Sequence, residues 1–274
     1  MWTAAAIVTA RHSNIIRPAH AVESARRFDA RNAMRFDSLP DLSRLGLRDV
    51  RVVYTNELWP KGVSKSEPDL RFIEKTTIPR LRVGAPDLVV IDIEHWDLAG
   101  IAPSELERNI NRYVAVLDTV RRHLPKTRLG LYSMAPVRNY WAPVRGKPDD
   151  LRTWQRDNER LQPIADASDV IFPSLYTFYD DPAGWVTYAT ANMLEAKRYG
   201  RPIYPFLWPQ YHDSGELIAG DFWRLQLETV LDNADGMVIW TPAKGKPRWN
   251  PDAAWWRETV DFLETAGLAS NTGQ

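Results

Sequence analysis

Six short stretches of the chain are apolar nearly throughout and rich in β-branched residues: 50–59, 87–96, 128–134, 169–176, 202–208 and 236–240. Each starts 33 to 41 residues after the one before, room for one strand, one loop and one helix. Strands apolar on both faces belong to parallel sheets covered by helices. The intervening stretches carry apolar residues at helical period. In 104–124 these are Leu106, Ile110, Tyr113, Val114, Leu117 and Val120. Ser104 with Glu107 reads there as a capping box, and Pro125 as the stop. Stretches 221–233 and 252–266 have the same character. Strands alternating with helices predict a parallel sheet with crossover connections. Six such units, with space for a further strand in residues 1–50, predict an α/β fold: a (β/α)7-8 TIM-type barrel in a single domain. An open doubly wound sheet is the alternative, weakened because no run is followed by a glycine-rich phosphate loop. Residues 1–40 are set aside as an N-terminal extension, 41–266 as the barrel, and 267–274 as a small polar tail expected to fray.

Composition narrows the function classes. The 274 residues carry 35 basic and 35 acidic side chains, and a net charge of zero argues against a nucleic-acid partner. With no cysteine there is no disulfide scaffold, thiolate zinc site, iron–sulfur cluster or cysteine nucleophile. His12, His20, His123 and His212 show no metal-ligand spacing, and Ser133 and Ser174 lack a nucleophile-elbow context. Neither a metal nor a cofactor is expected. No stretch approaches the ~18 apolar residues of a membrane span. The apolar run near the start is short and no basic residue precedes it, which makes a poor signal peptide. Residues 11–35 carry six Arg against Glu23 and Asp29, a transit-peptide-like balance that also suits a plain N-terminal helix or an upstream start. The compartment stays open between secreted and cytoplasmic. Twelve Trp can fill cores or stack on the flat C–H faces of sugars.

In a barrel the site lies where the strands end. The runs end in Tyr54, Glu57 and Trp59; in Asp92, Glu94, His95 and Trp96; in Tyr132 and Ser133; in Ser174, Tyr176, Phe178 and Tyr179; in Trp208, Gln210, Tyr211 and His212; and in Trp240. Such a ring of carboxylates, phenols and indoles, with few cations nearby, suits a carbohydrate pocket. Asp92-Ile93-Glu94 is the sharpest feature. Residues two apart on a strand share a side, so both carboxyls face the mouth. Two like charges there cannot both ionise cheaply, so one pKa rises and that group can act as a general acid. His95 alternates to the outside and reads as structural. The plainer alternative is a pair of strand-end carboxylates satisfied by Arg partners.

In order, these segments resemble the hyaluronidases, the family-56 glycoside hydrolases. The matching text is Asp92-Ile-Glu-His-Trp96, Gly130-Leu-Tyr-Ser-Met-Ala-Pro136 followed by Asn139-Tyr140, Ile171-Phe-Pro-Ser-Leu-Tyr176, Pro202-Ile-Tyr-Pro-Phe-Leu-Trp-Pro-Gln-Tyr-His-Asp213, and Gly236-Met-Val-Ile-Trp240. The similarity spans roughly residues 50–241. It implies Glu94 as acid/base, Asp92 orienting the substrate's own acetamido nucleophile, Tyr211 hydrogen-bonding that group or the charged intermediate, and Trp240 lining the pocket for its methyl. Tyr54, Glu57, Trp96, Tyr132, Tyr176 and Trp208 are the further substrate-binding candidates. The chain departs from the family at Phe172, where a Tyr is usual and whose hydroxyl Tyr176 or Tyr132 would have to supply, and in lacking the family's disulfides. The expected activity is retaining, substrate-assisted, endo-acting hydrolysis of an N-acetylhexosamine-containing polysaccharide, hyaluronan-like or chondroitin-like, by a monomer. A muramidase-like lysozyme barrel and a non-catalytic sugar-binding relative are the alternatives.

Overall fold

The computed structural model describes residues 28–242 and 247–269. The arginine-rich start discussed above lies outside the described residues, apart from its last members. Among the described residues seven strands are formed: β1 (Asp29–Ala33), β2 (Arg48–Asp49), β3 (Arg51–Tyr54), β4 (Leu88–Asp92), β5 (Arg128–Leu131), β6 (Phe206–Leu207) and β7 (Gly236–Trp240). Every ladder is parallel, in the orders β2-β1-β7-β6 and β3-β4-β5. β2 and β3 are one course of chain broken at Val50, whose N–H donates to the Asn32 carbonyl at 3.1 Å. The remaining gap is filled by residues 171–174, which bridge Tyr132↔Phe172 on one side and Ile171↔Ile203 and Ser174↔Phe206 on the other. Backbone hydrogen bonds therefore run round a closed ring. Pro173, Pro202 and Pro205 explain why that side shows bridges rather than full ladders, since a proline has no N–H to donate.

The strand interior is filled by Val52, Val90, Phe172, Tyr204, Phe206 and Val238, all buried. Gly130 on β5 makes this possible. A Cβ there would lie 2.1 Å from the Val170 carbonyl oxygen and 2.7 Å from the Phe172 ring. Phe172 is thus a core residue of the barrel. Helices Pro103–His123, Pro182–Lys197, Gly220–Asn233 and Ala254–Thr265 bury their apolar faces outside the ring. In the first, Leu106, Ile110, Tyr113, Leu117 and Val120 are buried as the spacing predicts, while Val114 is half-buried. No helix among the described residues is long and apolar enough to cross a membrane.

Three local expectations are corrected. The helix starts at Pro103 with Ala102 as its N-cap, so Ser104 lies inside the first turn and its side chain makes no cap. Proline at the first position has no N–H to satisfy and the right φ already fixed, and it sets the boundary instead. β1 lies inside the stretch 1–40 that the sequence assigns to an extension, so among the described residues the barrel begins at Asp29. Its sequence, Asp-Ala-Arg-Asn-Ala, hides a strand buried at all five positions, because its polar side chains find partners within the strand and on neighbouring segments. Arg31 is 1% exposed and binds Asp29 through Nε at 2.8 Å and Asp87 through Nη2 at 2.6 Å. Asn32 donates to Asp49 at 2.8 Å. At the far end, the first tail residues are tied down: Leu268 and Ala269 donate backbone N–H to the Leu263 carbonyl at 2.9 and 3.2 Å.

Candidate functional site

β4 is an apolar strand that ends in acid. Leu88 to Ile91 are buried, Asp92 is half-buried, Ile93 turns back into the core, and Glu94 is exposed. The alternation leaves Asp92 and Glu94 out of the core on either side of buried Ile93, close enough for the charge of Glu94 to act on Asp92. Among the described residues neither carboxylate takes a hydrogen bond or an ion pair. Burial, followed by the charge of Glu94, raises the Asp92 pKa from 3.8 to about 7. Asp92, the more deeply set of the two, therefore binds a proton more readily than a free carboxyl.

An aromatic wall surrounds Asp92. The β3–β4 register sets Tyr54 beside it. Trp240, at the end of β7, donates its indole N–H to the Tyr54 hydroxyl at 2.9 Å and so ties β7 to β3. Its ring stacks on Tyr176 at 5.5 Å and 23°, and Trp208 meets both edge-on at 5.5 and 5.3 Å. Tyr132 lies beside Tyr176 and donates to Ser174 Oγ at 3.0 Å. Burial, above all, keeps these phenols protonated: Tyr132 is pushed up to about 12, Tyr54 is raised, and Tyr176 well raised. The charge of Asp92 adds to the rise at Tyr54 and Tyr176, and that of Glu94 at Tyr132. Glu94 borders a cavity of about 360 Å³ lined also by Trp96, Ser133, Met134 and Arg138. Ser133 there has φ +59°, a left-handed conformation rare for a residue with a side chain, and its N–H donates to the Phe172 carbonyl at 2.9 Å.

Of the residues singled out from sequence, Asp92, Glu94, Tyr54, Tyr132, Tyr176, Trp208 and Trp240 gather at this mouth. Three others are committed elsewhere. The Tyr211 hydroxyl donates to Asp180 Oδ1 at 2.7 Å, because the chain after β6 doubles back through the Gln210↔Leu217 bridge and carries Tyr211 with it. The Glu57 carboxylate pairs with Arg51 and accepts the Tyr54 N–H at 3.2 Å. Trp96 is 5% exposed, donates to the Lys65 carbonyl at 2.9 Å and packs between Trp59 and Tyr113, with only one border on the cavity. Two cations escaped the sequence reading. Arg35 lies over the Tyr54 ring and Arg138 over the Phe178 ring, each 4.5 Å from the centroid. Both sit a few residues past a strand end, where a loop's course decides its reach.

No protein-family model matches the chain. No curated protein matches it either. Solved structures do. That of bee venom hyaluronidase is similar with a TM-score of 0.61 and 15% identity, covering 88% of this chain and 97% of that one. The same enzyme in complex with a hyaluronic acid tetramer gives 0.58 and 15%, covering 88% and 96%. Active domain 2 of a thermostable chitinase from Pyrococcus furiosus, complexed with chito-oligosaccharides, gives 0.50 and 12%, covering 82% and 76%. The fold is a TIM barrel. At these identities the likeness is one of fold: this chain has the barrel that those glycosidases have.

Proposed function

We propose that the chain is a retaining glycoside hydrolase that cleaves an N-acetylhexosamine-containing polysaccharide with the substrate's acetamido group as nucleophile. The observation that carries this reading is the unpaired Asp92/Glu94 couple at the end of β4 under the wall of Tyr54, Tyr176, Trp208 and Trp240. Carboxylates left without a counter-ion are destabilising, and sites of chemistry are where such groups are kept. The hyaluronic acid and chito-oligosaccharide complexes of the barrels described above support the same substrate class.

In this mechanism the sugar's acetamido N–H approaches Asp92. A carboxyl with high proton affinity is a strong acceptor once ionised, and the incoming N–H favours that ionised form. The proton passes to the neighbouring Glu94, which gives it to the glycosidic oxygen as the C1–O bond breaks. The acetamido oxygen bonds to C1 and forms an oxazolinium ring, whose N–H charge Asp92 balances. Glu94, now a carboxylate, takes a proton from water as water attacks C1, and the ring reopens with retained configuration. Trp240 and Tyr176 shape a dry wall for the acetamido methyl. The phenols of Tyr54 and Tyr176 are both close enough to feel the charge of Asp92, so we assign to them the role that the resemblance gave Tyr211.

The test is reducing-end release from hyaluronan, chondroitin, chitin oligomers and peptidoglycan by the full chain, with Glu94→Gln as control. Release that Glu94→Gln abolishes, and inhibition by a thiazoline analogue of N-acetylglucosamine, support the reading. A covalent sugar ester on Asp92 or Glu57, trapped with a fluorinated substrate and seen by mass spectrometry, overturns it.

A further inference from the structure

The aromatic wall does not stop at the catalytic mouth. From Trp208 the rings continue to His212 at 5.9 Å, from His212 to Phe178 at 4.7 Å, from Phe178 to Tyr179 at 6.4 Å, and from Tyr179 to Trp141 at 5.2 Å. The two last members are out in solvent: Trp141 is 43% and Tyr179 is 42% exposed. Among the described residues the other large exposed apolar side chains are aliphatic: Val63, Val83, Leu194 and Leu217. Trp141 opens the short helix Trp141–Arg145 that follows β5, and Tyr179 lies in the loop after the bridging segment 171–174. Two segments far apart in sequence thus bring one exposed ring each to the same place.

The base beneath them is fixed. Tyr140 is 9% exposed and meets Trp141, Tyr179 and Tyr188 at 5.1, 4.9 and 5.0 Å. Its hydroxyl donates to Asp181 Oδ2 at 3.4 Å, and Asp181 accepts the Gly184 N–H at 2.9 Å, capping helix Pro182–Lys197. A Cβ on Gly184 would fall 1.9 Å from that carboxylate, so glycine is what admits the cap. Arg145 stands 4.8 Å from the Trp141 ring centre. Nothing in the fold needs two rings held rigid and wet. An exposed aromatic platform joined to a pocket by continuous rings suits a flat C–H face arriving from that pocket.

We propose that Trp141 and Tyr179 form a distal subsite that stacks a further sugar ring of the same glycan held at Asp92 and Glu94. The inference rests on the proposed function and deepens it: the enzyme engages a chain, not a terminal sugar alone. Holding a remote ring adds binding energy in one step, when the oligomer becomes long enough to reach the platform, and none beyond.

The experiment measures KM and kcat for hyaluronan and chitin oligomers, from the disaccharide to the longest soluble member. It compares the full chain with Trp141→Ala, Tyr179→Ala, Trp141→Tyr and, as a remote exposed control, Leu194→Ala. KM of the wild type falls once the oligomer is long enough to reach the platform. Trp141→Ala and Tyr179→Ala lose that fall, raising KM about tenfold on long oligomers, the scale of one aromatic contact. Trp141→Tyr and Leu194→Ala retain it. Calorimetry of the longest oligomer with the Glu94→Gln chain, with and without Trp141→Ala, shows the same ratio in affinity. A wild type that turns over oligomers with no length dependence, or alanine variants that keep it, overturns the subsite while leaving the proposed function standing. So does a shift in oligomeric state on Trp141→Ala without a change in KM, which would make the patch a contact between copies. A wild type that cleaves and binds none of the series overturns both.

Discussion

Asp29 opens β1 at the amino end of the barrel and Asp92 closes β4 at the carboxyl end, and the two carboxyls are surrounded differently. Asp29 receives Arg31 Nε at 2.8 Å, Arg48 Nη2 at 2.7 Å and Arg128 Nη2 at 3.1 Å. Burial opposes its charge, but those guanidiniums outweigh burial and lower its pKa to about 2. Asp92 meets burial and Glu94, with no cation, and is raised to about 7. Arg128 also donates to the Tyr204 hydroxyl at 3.0 Å, so the paired end is joined to the strand interior. The same fold therefore contains a carboxylate locked in its charged form and one left free to change. The amino end carries the paired carboxylate, and the carboxyl end carries the pair to which the proposed function assigns the chemistry.

The contrast can be broken in several ways, and the largest effect falls on the reactive end. Glu94→Gln keeps shape and removes the proton donor, so turnover falls roughly 10²–10⁴-fold in a reducing-end assay while thermal unfolding stays close to wild type. A variant that kept a tenth of the rate would remove Glu94 from the acid role. At the paired end, Arg31→Met strips a fully buried guanidinium from two carboxylates. It costs about 3–5 kcal/mol in denaturant unfolding at neutral pH. A loss under about 1 kcal/mol would show that Arg48 and Arg128 suffice for Asp29.

The two aspartates also respond to pH with opposite sign. The Asp29 pKa is depressed in the folded state, so its stabilisation is present above about 4 and is lost as pH falls through about 2. The Asp92 pKa is raised, so the folded state is favoured most below about 4 and loses that advantage as pH rises through about 7. Asp92→Asn removes the buried charge. Unfolding free energy at pH 8 then rises by a few kcal/mol, because each tenfold change in proton affinity is worth about 1.36 kcal/mol, and there is no gain at pH 4. An equal gain at both pH values would deny that the charge is the cause. The smallest contrast lies between two phenols. Tyr54→Phe deletes the acceptor of the Trp240 indole N–H and costs about 0.5–1.5 kcal/mol in kcat/KM. Tyr211→Phe releases only Asp180 at the surface and changes kcat/KM less than about threefold. The reverse ranking would return Tyr211 to the reacting sugar.

The same comparison explains what could be read from the chain. β4 and β7 were legible because apolar residues fill them and a distinctive side chain ends them: Asp92 and Trp240. β1 was not, because Arg31 is held by Asp87 and Asp29 by Arg128, partners that no local pattern announces. Spacing alone placed Asp92 and Glu94 on one side. It does not say which is deeper, and in the fold it is Asp92 whose pKa burial raises. Order in the chain points to Tyr211, and a hairpin that begins just before it takes its hydroxyl to Asp180. Arg35 and Arg138 reach the mouth from loops, where sequence position and spatial position part company.

Closure of the ring through β1 and β7 has a kinetic meaning. Their ladder pairs Asp29 with Gly236 and Ala33 with Trp240, residues at nearly opposite ends of the described chain. Contacts of such sequence separation are slow to form, because a long loop must be closed before the pairing is rewarded. During synthesis β1 emerges before the other strands and waits for its last neighbour until almost the whole barrel has been made. Its polar composition suits the wait. An exposed Asp-Ala-Arg-Asn-Ala edge recruits no stray strands, whereas a Val- or Ile-rich one would invite aggregation.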